Sequence, residues 1–264
     1  MPSTRTIVAT SIVIAASAAS AQTSVSFPDF SNTNGLTLSG SATALSTSDG
    51  DIIRLAARNE FSGSVFSSTP ISAAQFSAAF SFRITDPGGI TDAFGERGAD
   101  GLVFVVQTVS DDIGGGGGGL GYSGIAPSVA VEFDTFGNTT FNDPSSNHVG
   151  IDVNGSVTSL VTANFAPDFD NGEDFFAWVD YNGQLLTVSV SETNVRPAAP
   201  LLSLAIDIPA TIGQGSAFVG FTAGTASAWG NHDLLSFSYD STIPAPAGAV
   251  VLGLGGLAAS RRRR

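Results

Sequence analysis

The stretch from residue 128 to residue 154 constrains this chain most, because two alternating patterns flank a polar loop. In the first arm, SVAVEFD, aliphatic and aromatic residues alternate with a second set that ends in Glu132 and Asp134. In the second arm, HVGIDV, His148 and Asp152 alternate with aliphatic residues. A period of two places alternate side chains on opposite faces of a strand. The two arms therefore predict an antiparallel hairpin with Glu132 and His148 on one face.

The loop between the two arms offers ligands for metal ions. Asp134, Asn138 and Asp143 provide the hard oxygen atoms that calcium prefers. Glu132 and His148 add the carboxylate and imidazole mixture that suits a first-row transition metal. Carboxylates this close together would disfavour one another's charged forms unless a cation or protons compensated them. The pattern predicts a metal site, and the simpler alternative is an acidic, solvated loop.

The spacing of these residues resembles the double metal signature of the legume-type (L-type) lectins. The resemblance implies a calcium site and a transition-metal site, usually manganese, that share two carboxylates. The implied transition-metal ligands are Glu132, Asp134, Asp143 and His148. The implied calcium ligands are Asp134, the backbone carbonyl of Phe136, Asn138 and Asp143. In this family calcium fixes the loop, and the loop holds the sugar.

The same resemblance implies a set of carbohydrate-binding residues. Ala99-Asp100-Gly101 precedes an apolar strand, as in the family's loop where a non-proline cis peptide directs an aspartate towards sugar hydroxyls. The glycine run before Leu120 offers a backbone N–H from Gly118, with Gly119 as the alternative. The implied set comprises Asp100, Gly118, Gly119, Phe136, Asn138, Ser227 and Ala228, of which the last two belong to the loop that tunes sugar choice.

The rest of the chain predicts an all-β domain. Its 31 Gly, 19 Phe and 12% charged residues suit short strands and tight turns. Phe80 and Phe82 share one face of a strand and are predicted core residues, and so is Trp178. Together with the resemblance, these features predict a concanavalin-like jelly-roll sandwich of antiparallel sheets over residues 24–240. Turn signals separate the apolar stretches, at Asn34-Gly35, Asp49-Gly50 and Asn182-Gly183.

Both ends of the chain carry predicted targeting segments. Residues 1–21 combine a positive charge, an apolar run and a small-residue cleavage site, which is typical of a secretory signal peptide. Residues 243–264 resemble the bacterial PEP-CTERM sorting signal, with a proline hinge, an apolar run and four arginines, although Pro-Ala-Pro replaces Pro-Glu-Pro. We therefore expect export to the cell surface or medium, with transient contacts between the tail and the membrane or sorting machinery.

Charge and composition narrow the function. A formal net charge of −13 disfavours nucleic acid and anionic membranes as partners. The predicted activity is calcium-dependent glycan binding without chemistry. One alternative is a glycoside hydrolase that uses Glu132 and Asp134 as paired carboxylates, but Gly137 occupies the third acidic position of the expected Glu-x-Asp-x-x-Glu pattern. The other alternative is a surface or matrix protein whose metals only stiffen the fold.

Overall fold

The computed structural model describes residues 24–48, 50–58, 61–111 and 116–241. The predicted signal peptide and the predicted sorting tail lie outside the described residues. In chain order the strands are β1 (Ser24–Phe27), β2 (Leu36–Gly40), β3 (Thr43–Thr47), β4 (Gly50–Ala56), β5 (Ser62–Ser67), β6 (Ile71–Ser72), β7 (Phe76–Gly89), β8 (Gly101–Gln107), β9 (Ser128–Asp134), β10 (His148–Val153), β11 (Val161–Asn164), β12 (Asp174–Tyr181), β13 (Leu185–Ser191), β14 (Leu202–Ala205), β15 (Ser216–Gly224) and β16 (Ala228–Asp240). One short helix, α1 (Ile208–Ile212), precedes β15, and single-turn 3-10 helices span Gly117–Gly119 and Thr139–Phe141.

Two antiparallel sheets form a sandwich. The back sheet has the strand order β14-β13-β12-β7-β16-β4-β3, with β1 paired to β16. The front sheet has the order β11-β10-β9-β8-β15-β5-β2, with β6 paired to β15. Many neighbours are distant in sequence, since β7 lies between β12 and β16. This arrangement confirms the predicted all-β jelly-roll class.

Aromatic rings from both sheets fill the space between them. The ring centroid of Phe80 in the back sheet lies 4.8 Å from that of Phe221 and 5.6 Å from that of Phe133, both in the front sheet. Phe80 and Phe82 are buried, as predicted. Rings that meet edge to face at these distances contribute favourable contacts beyond the burial of their surface.

The prediction that Trp178 belongs to the core is wrong. Within β12, buried Ala177 and Val179 flank Trp178, which is half-buried. The period of two therefore turns Trp178 towards the outer face of the back sheet, where it lines a surface depression. Its size and apolar character suggested burial, but its parity in the strand decides the side on which it lies.

The three dipeptides that predicted turns differ in the structures they form. Asn182-Gly183 joins β12 to β13 in a hairpin, with Tyr181 opposite Leu186, as predicted. Asn34-Gly35 forms a turn ahead of β2 but no hairpin, because β1 pairs with β16 and β2 with β5. Asp49 lies outside the described residues, between the paired strands β3 and β4.

Across the described ranges, no helix is both long and apolar enough to cross a membrane.

Three neighbouring strands of the front sheet position the candidate site. In the antiparallel register, Gly101 of β8 lies opposite Asp134 of β9, and Asp134 lies opposite His148 of β10. The β7–β8 connection and the β9–β10 loop therefore meet at one end of the sandwich. The predicted metal ligands and Asp100 share this end.

Candidate functional site

The β9–β10 hairpin brings predicted metal ligands to one face of the front sheet. His148 lies opposite Asp134, and Gly150 lies opposite Glu132, which confirms the predicted antiparallel pairing. His148 Nε2 lies 3.4 Å from Glu132 Oε1 and 4.0 Å from Asp143 Oδ1. Glu132 and His148 are both buried. One imidazole and two carboxyl groups therefore lie within 4.0 Å below the loop.

The β9–β10 loop turns backbone N–H groups towards two of these acids. The N–H of Phe136 donates to Asp134 Oδ1 at 2.7 Å, and the N–H of Asn138 donates to Asp143 Oδ2 at 2.6 Å. The 3-10 turn at Thr139–Phe141 reverses the chain between Asn138 and Asp143. The loop thus gathers Phe136, Asn138 and Asp143 beside the hairpin.

The acids of this site are short of positive charge. Burial, together with the charges of Glu132 and Asp143, raises the pKa of Asp134 well above its usual value. Burial also raises the pKa of Asp143, to about 6. The neutral form of each carboxyl group is therefore favoured unless a cation compensates the negative charge.

The orientation of His148 fits a metal ion. Its Nδ1 lies 3.2 Å from the carbonyl oxygen of Ser145, which fixes the hydrogen on that nitrogen. Its buried Nε2 has no hydrogen-bond partner in the described part of the chain. Nε2 therefore directs a lone pair towards Glu132 and Asp143. The lone pair and the carboxylate oxygens repel one another when no cation is present, whereas a cation between them could bind all three groups.

The side chains do not form a closed coordination shell as they stand. Within the described ranges, no group of three or more His, Asp or Glu residues is arranged closely enough to hold a metal ion. Ligands of one ion lie about 3 Å apart when each bond is about 2.1 Å long. The 4.0 Å between His148 Nε2 and Asp143 Oδ1 exceeds that spacing, so a cation would draw the two side chains together. The ligand roles stay a prediction.

A further buried acid, Asp152, lies behind Glu132. Ser159 Oγ lies 2.5 Å from Glu132 Oε1 and 2.7 Å from Asp152 Oδ1. One hydroxyl hydrogen can serve only one of the two carboxyl groups. Burial, and then Glu132, raises the pKa of Asp152 well above its usual value. Gly150 makes room, since a Cβ there would lie 2.0 Å from Ser159 Oγ. The alternating pattern placed Asp152 on this face but did not reveal Ser159.

Asp100 borders the β9–β10 loop. Its peptide bond with Ala99 is cis, as the resemblance implied. The Asp100 N–H donates to Gly224 O at 3.0 Å, and Asp100 O accepts from the N–H of Thr135 at 3.0 Å. Burial raises the pKa of the Asp100 carboxyl to about 7, and its Oδ2 finds no hydrogen-bond partner among the described residues. Such an oxygen is available to accept a hydrogen bond from a ligand hydroxyl.

His232 supports the Asp100 loop from the back sheet. Its Nε2 accepts from the N–H of Gly101 at 3.1 Å. Complete burial lowers the pKa of His232 to about 4, so the ring stays neutral and its Nε2 remains an acceptor at neutral pH. No local pattern predicted this contact, because 131 residues separate the two partners.

The glycine turn lies against Asn138. A Cβ at Gly118 would lie 2.9 Å from Asn138 Oδ1, whereas a Cβ at Gly119 would lie 2.9 Å from the Cβ of Ser123. Of the two glycines nominated by the sequence, Gly118 is therefore the one beside Asn138. Residues 112–115, which include the start of the glycine run, lie outside the described residues.

The loop around Ser227 and Ala228, which the resemblance implies tunes sugar choice, is called the specificity loop below, and its two predicted residues differ in exposure. Ser227 is exposed, whereas Ala228 is buried because it opens β16 and lies opposite Gly89. Ala226, just before them, reaches the glycine turn, since its Cβ would lie 3.4 Å from a Cβ at Gly117. The loop therefore borders the site, and sugar contacts by Ser227 and Ala228 stay a prediction.

Asp92 is a site residue that the sequence did not reveal. Its Oδ1 accepts from the N–H groups of residues 94–96, and its Oδ2 accepts from the N–H of Gly137 at 2.8 Å. Burial opposes its ionisation, but the nearby Ser146 hydroxyl and the hydrogen bonds from Gly137 and from its own turn together lower the pKa of Asp92. The sequence Asp-Ala-Phe-Gly at residues 92–95 indicates a local turn, but it gives no sign of the contact with Gly137, which is 45 residues away.

Comparison with known families identifies the family of this chain. The family profile described as "Legume lectin domain" matches residues 22–250. The matched range includes the β9–β10 hairpin, Asp100, the glycine turn and the loop at Ser227. The chain belongs to the legume lectin family.

Proteins similar to this legume lectin domain include plant receptor kinases and lectins. It is 35% identical over 215 residues to the L-type lectin-domain containing receptor kinase VIII.1 of Arabidopsis thaliana, and the match covers 74% of this chain and 28% of that kinase. It is 34% identical over 182 residues to the bark lectin of Styphnolobium japonicum, which covers 64% of this chain and 63% of that lectin. The winged bean acidic lectin complexed with methyl-α-D-galactose has 27% identity and a TM-score of 0.70, over 84% of this chain and 99% of that one.

Family membership bears on both activity and cofactors. Legume lectin domains bind carbohydrate and are not enzymes, and the enzymatic activity of the receptor kinases belongs to their kinase domains. Members of the family bind calcium and manganese. The predicted family, and the prediction that this domain is not an enzyme, are therefore confirmed.

Proposed function

We propose that this legume lectin domain binds glycans reversibly and depends on calcium to do so. The observation that carries the proposal is the position of Asn138. Its backbone N–H is bound by Asp143, and its side-chain Oδ1 lies beside Gly118. Asn138 thus connects the predicted metal ligands to the predicted sugar-binding residues. A cation that orders the loop would also order the sugar contact.

The donor atoms of the site suit the two proposed ions. Calcium would be held by Asp134, the carbonyl of Phe136, Asn138 and Asp143, and manganese or another first-row divalent ion by Glu132, Asp134, Asp143 and His148. The raised pKa values of Asp134 and Asp143 support this assignment, because a cation offsets their repulsion. When bound, the ions supply positive charge that orders the loop.

The sugar would be held by hydrogen bonds and by ring packing. The buried Asp100 carboxylate and the Asn138 side chain would bind hydroxyl groups, and Gly118 would donate its backbone N–H. The half-buried ring of Phe136 would pack on the apolar face of the pyranose. The winged bean acidic lectin structure contains methyl-α-D-galactose, which makes a galactoside the first ligand to test.

We also propose that the protein acts at the cell surface or in the medium of a bacterium. The signal-like composition of residues 1–21 and the PEP-CTERM-like pattern of residues 243–264 support export and sorting. Its partners would be extracellular glycans, with transient contacts to the membrane or sorting machinery through the tail. The strong negative charge argues against nucleic acid as a partner.

The surroundings of Glu132 do not favour a glycoside hydrolase. Glu132 is buried, lies beside His148 and contacts Ser159. A general acid or nucleophile must instead reach the bond of a bound sugar. A metal-stiffened surface protein without sugar binding remains the alternative that the following experiment separates from a lectin.

A glycan array with and without chelator tests the proposal. We expect the purified protein to bind a subset of glycans in calcium, to lose them in EDTA and to regain them when calcium is restored. Asn138→Ala should abolish binding, whereas Asn194→Ala, on an exposed loop of the back sheet, should not. Glycan binding that survives both EDTA and Asn138→Ala would contradict the proposal. Metal binding without any glycan binding would favour the stiffened surface protein.

A further inference from the structure

The peptide unit that joins Asp100 to Gly101 is hydrogen-bonded on both sides. Its carbonyl oxygen accepts from the N–H of Thr135, which follows β9 of the front sheet, at 3.0 Å. Its N–H donates to Nε2 of His232, in β16 of the back sheet, at 3.1 Å. The N–H of Asp100 itself donates to Gly224 O, just before the specificity loop, at 3.0 Å. These three bonds fix the plane of the peptide unit, and with it the direction in which the Asp100 side chain leaves the backbone.

The bond from His232 differs from the other two because a side chain provides it. The ring is completely buried and lies in β16 opposite Ile84 of β7. Gly230 leaves room beside it, since a Cβ there would lie 2.9 Å from Ile84 Cγ2 and 3.7 Å from His232 Cε1. A ring packed this closely keeps one rotamer, so its Nε2 stays directed at Gly101. A substitution can therefore remove this anchor while the two backbone bonds remain.

The Asp100 carboxyl group depends on its backbone for its direction. Its Oδ2 has no hydrogen-bond partner within the described ranges, so no contact of that atom holds the side chain. Gly101 has a φ of +125°, which glycine adopts readily, and a Cβ there would lie 2.2 Å from Phe133 O. A peptide unit next to glycine can rotate when one of its bonds is lost. Without His232 the buried N–H of Gly101 would lose its partner, which favours rotation towards another acceptor or water.

We propose that His232 is a positioning residue for sugar binding, which holds the N–H of Gly101 and thereby keeps the Asp100 carboxyl group directed at sugar hydroxyls. The inference rests on the proposed lectin function. Among the described residues, the hydrogen bond of the ring goes to Gly101 and to none of the proposed metal ligands. His232 should therefore control glycan affinity without changing calcium affinity. A binding group held within about 0.5 Å of its productive position by such supporting contacts binds more tightly than a loosely held one.

Substitutions of His232 test this role by isothermal titration calorimetry. The probes are calcium alone and, with calcium present, the methyl glycosides of galactose, N-acetylgalactosamine, glucose and mannose. For the glycoside that binds, His232→Leu should weaken the affinity at least about tenfold, because a buried N–H loses its acceptor. Calcium affinity, measured without sugar, should change by less than about twofold, because the ring and the calcium ligands do not share a contact.

Two amide substitutions separate the acceptor from the bulk of the ring. His232→Gln places an oxygen at a similar distance from the backbone as Nε2 and should restore most of the glycan affinity. His232→Asn carries the same amide one methylene group shorter, does not reach Gly101 and should bind glycan as weakly as His232→Leu. The control Tyr239→Phe removes another hydrogen bond of a buried β16 side chain, from Tyr239 Oη to Ser72 O at 2.7 Å, and should leave both affinities unchanged.

Nuclear magnetic resonance tests the hydrogen bond in the natural protein, without relying on a variant that folds. A scalar coupling between the amide nitrogen of Gly101 and Nε2 of His232 should be present, and the Gly101 N–H should exchange slowly with solvent. In His232→Asn the same N–H should exchange at least about tenfold faster, whereas that of Phe104, in the centre of β8, should not change.

The possible outcomes separate the positioning role from the lectin function. Unchanged glycan affinity in His232→Leu and His232→Asn overturns the positioning role and leaves the lectin function intact. Equal losses of glycan and calcium affinity overturn it too, because the ring would then support the whole site. A natural protein without the coupling, whose Gly101 N–H exchanges rapidly, overturns it even if no variant folds. If no glycoside binds the natural protein, the lectin function itself fails, and the positioning role fails with it.

Discussion

The back sheet and the loop end of the front sheet both carry acidic residues, but they compensate them differently. On the back sheet, Arg54 donates two hydrogen bonds to Asp233, at 2.6 and 2.7 Å. Arg83 and Asp174 form a second pair there, at 2.7 Å. Each of these acids faces a permanent cation on a neighbouring strand. Their role is to hold strands of the back sheet together.

At the loop end of the front sheet, the acidic side chains of the described residues lie near other acidic side chains and near the lone pair of His148 Nε2, not near arginine. Asp143 and Glu132 lie near His148 Nε2, which has no hydrogen-bond partner among the residues that the structure describes. Burial raises the pKa of Asp134 and of Asp143. The difference indicates that the protein completes its charge balance with arginine where the role is structural. At the loop end, the proposed calcium and transition-metal ions would complete the charge balance.

The largest expected contrast comes from matched substitutions in the two regions. Asp143→Asn should weaken calcium and glycan binding by at least about a hundredfold, because a ligand charge is lost. Asp233→Asn should leave both affinities unchanged and lower the free energy of unfolding by about 1–3 kcal/mol, since it breaks a charged hydrogen-bond pair. Calorimetric titration and thermal unfolding measure the two effects. Normal calcium affinity in Asp143→Asn would remove the distinction between the regions.

Calcium should stabilise the protein through the loop end alone. At a calcium concentration of 100 times Kd, binding adds about 2.7 kcal/mol to the free energy of unfolding. For a domain of this size that corresponds to an increase in Tm of roughly 5–10 °C. Scanning calorimetry should show this increase for the natural protein and for Asp233→Asn, and should show none for Asp143→Asn. An equal increase in all three would place the calcium elsewhere.

Calcium affinity should fall as the pH is lowered. The pKa of Asp143 is about 6 and that of Asp134 is raised, so below these values a proton must leave before calcium binds. One proton with a pKa near 6 weakens the apparent affinity about tenfold between pH 7 and pH 5. The stability of the metal-free protein should follow the opposite trend. Its free energy of unfolding should rise as the pH falls, because carboxyl groups whose pKa is raised in the folded state bind protons more tightly there. Titrations at pH 5, 6 and 7 check the first trend, and a flat profile would contradict it.

The smallest expected effect lies in the back sheet. Arg196 contacts Asp180, and the side chain of Arg196 is 42% exposed. Exposed ion pairs contribute about 0–1 kcal/mol. Arg196→Ala should therefore lower the free energy of unfolding by no more than about 1 kcal/mol and leave calcium and glycan binding unchanged. A loss of binding in this variant would show that the two regions are coupled.

Local patterns predicted the hairpin at the centre of the site. The alternation around Glu132 and His148 fixed both strands, and the register places Gly150 opposite Glu132 as an antiparallel pair requires. The short spacing from Glu132 to His148 made the grouping visible in the sequence. The choice between Gly118 and Gly119, however, needed the position of Asn138 in space.

Contacts between distant segments could not be predicted. His232 binds Gly101 across 131 residues, and Asp92 binds Gly137 across 45. Both contacts arise because the sandwich places strands side by side that are far apart in the chain. The fit of Phe94 on Gly137 has the same origin. The resemblance supplied ligand positions, but it did not supply the contacts that frame them.

The most direct test of the central claim is the metal content of the purified, folded protein. After equilibration with calcium and manganese and removal of free metal, elemental analysis should find two divalent ions per chain, one calcium and one transition metal, and Asp143→Asn should lose both. Folded natural protein that retains no stoichiometric divalent ion after this treatment would contradict the account.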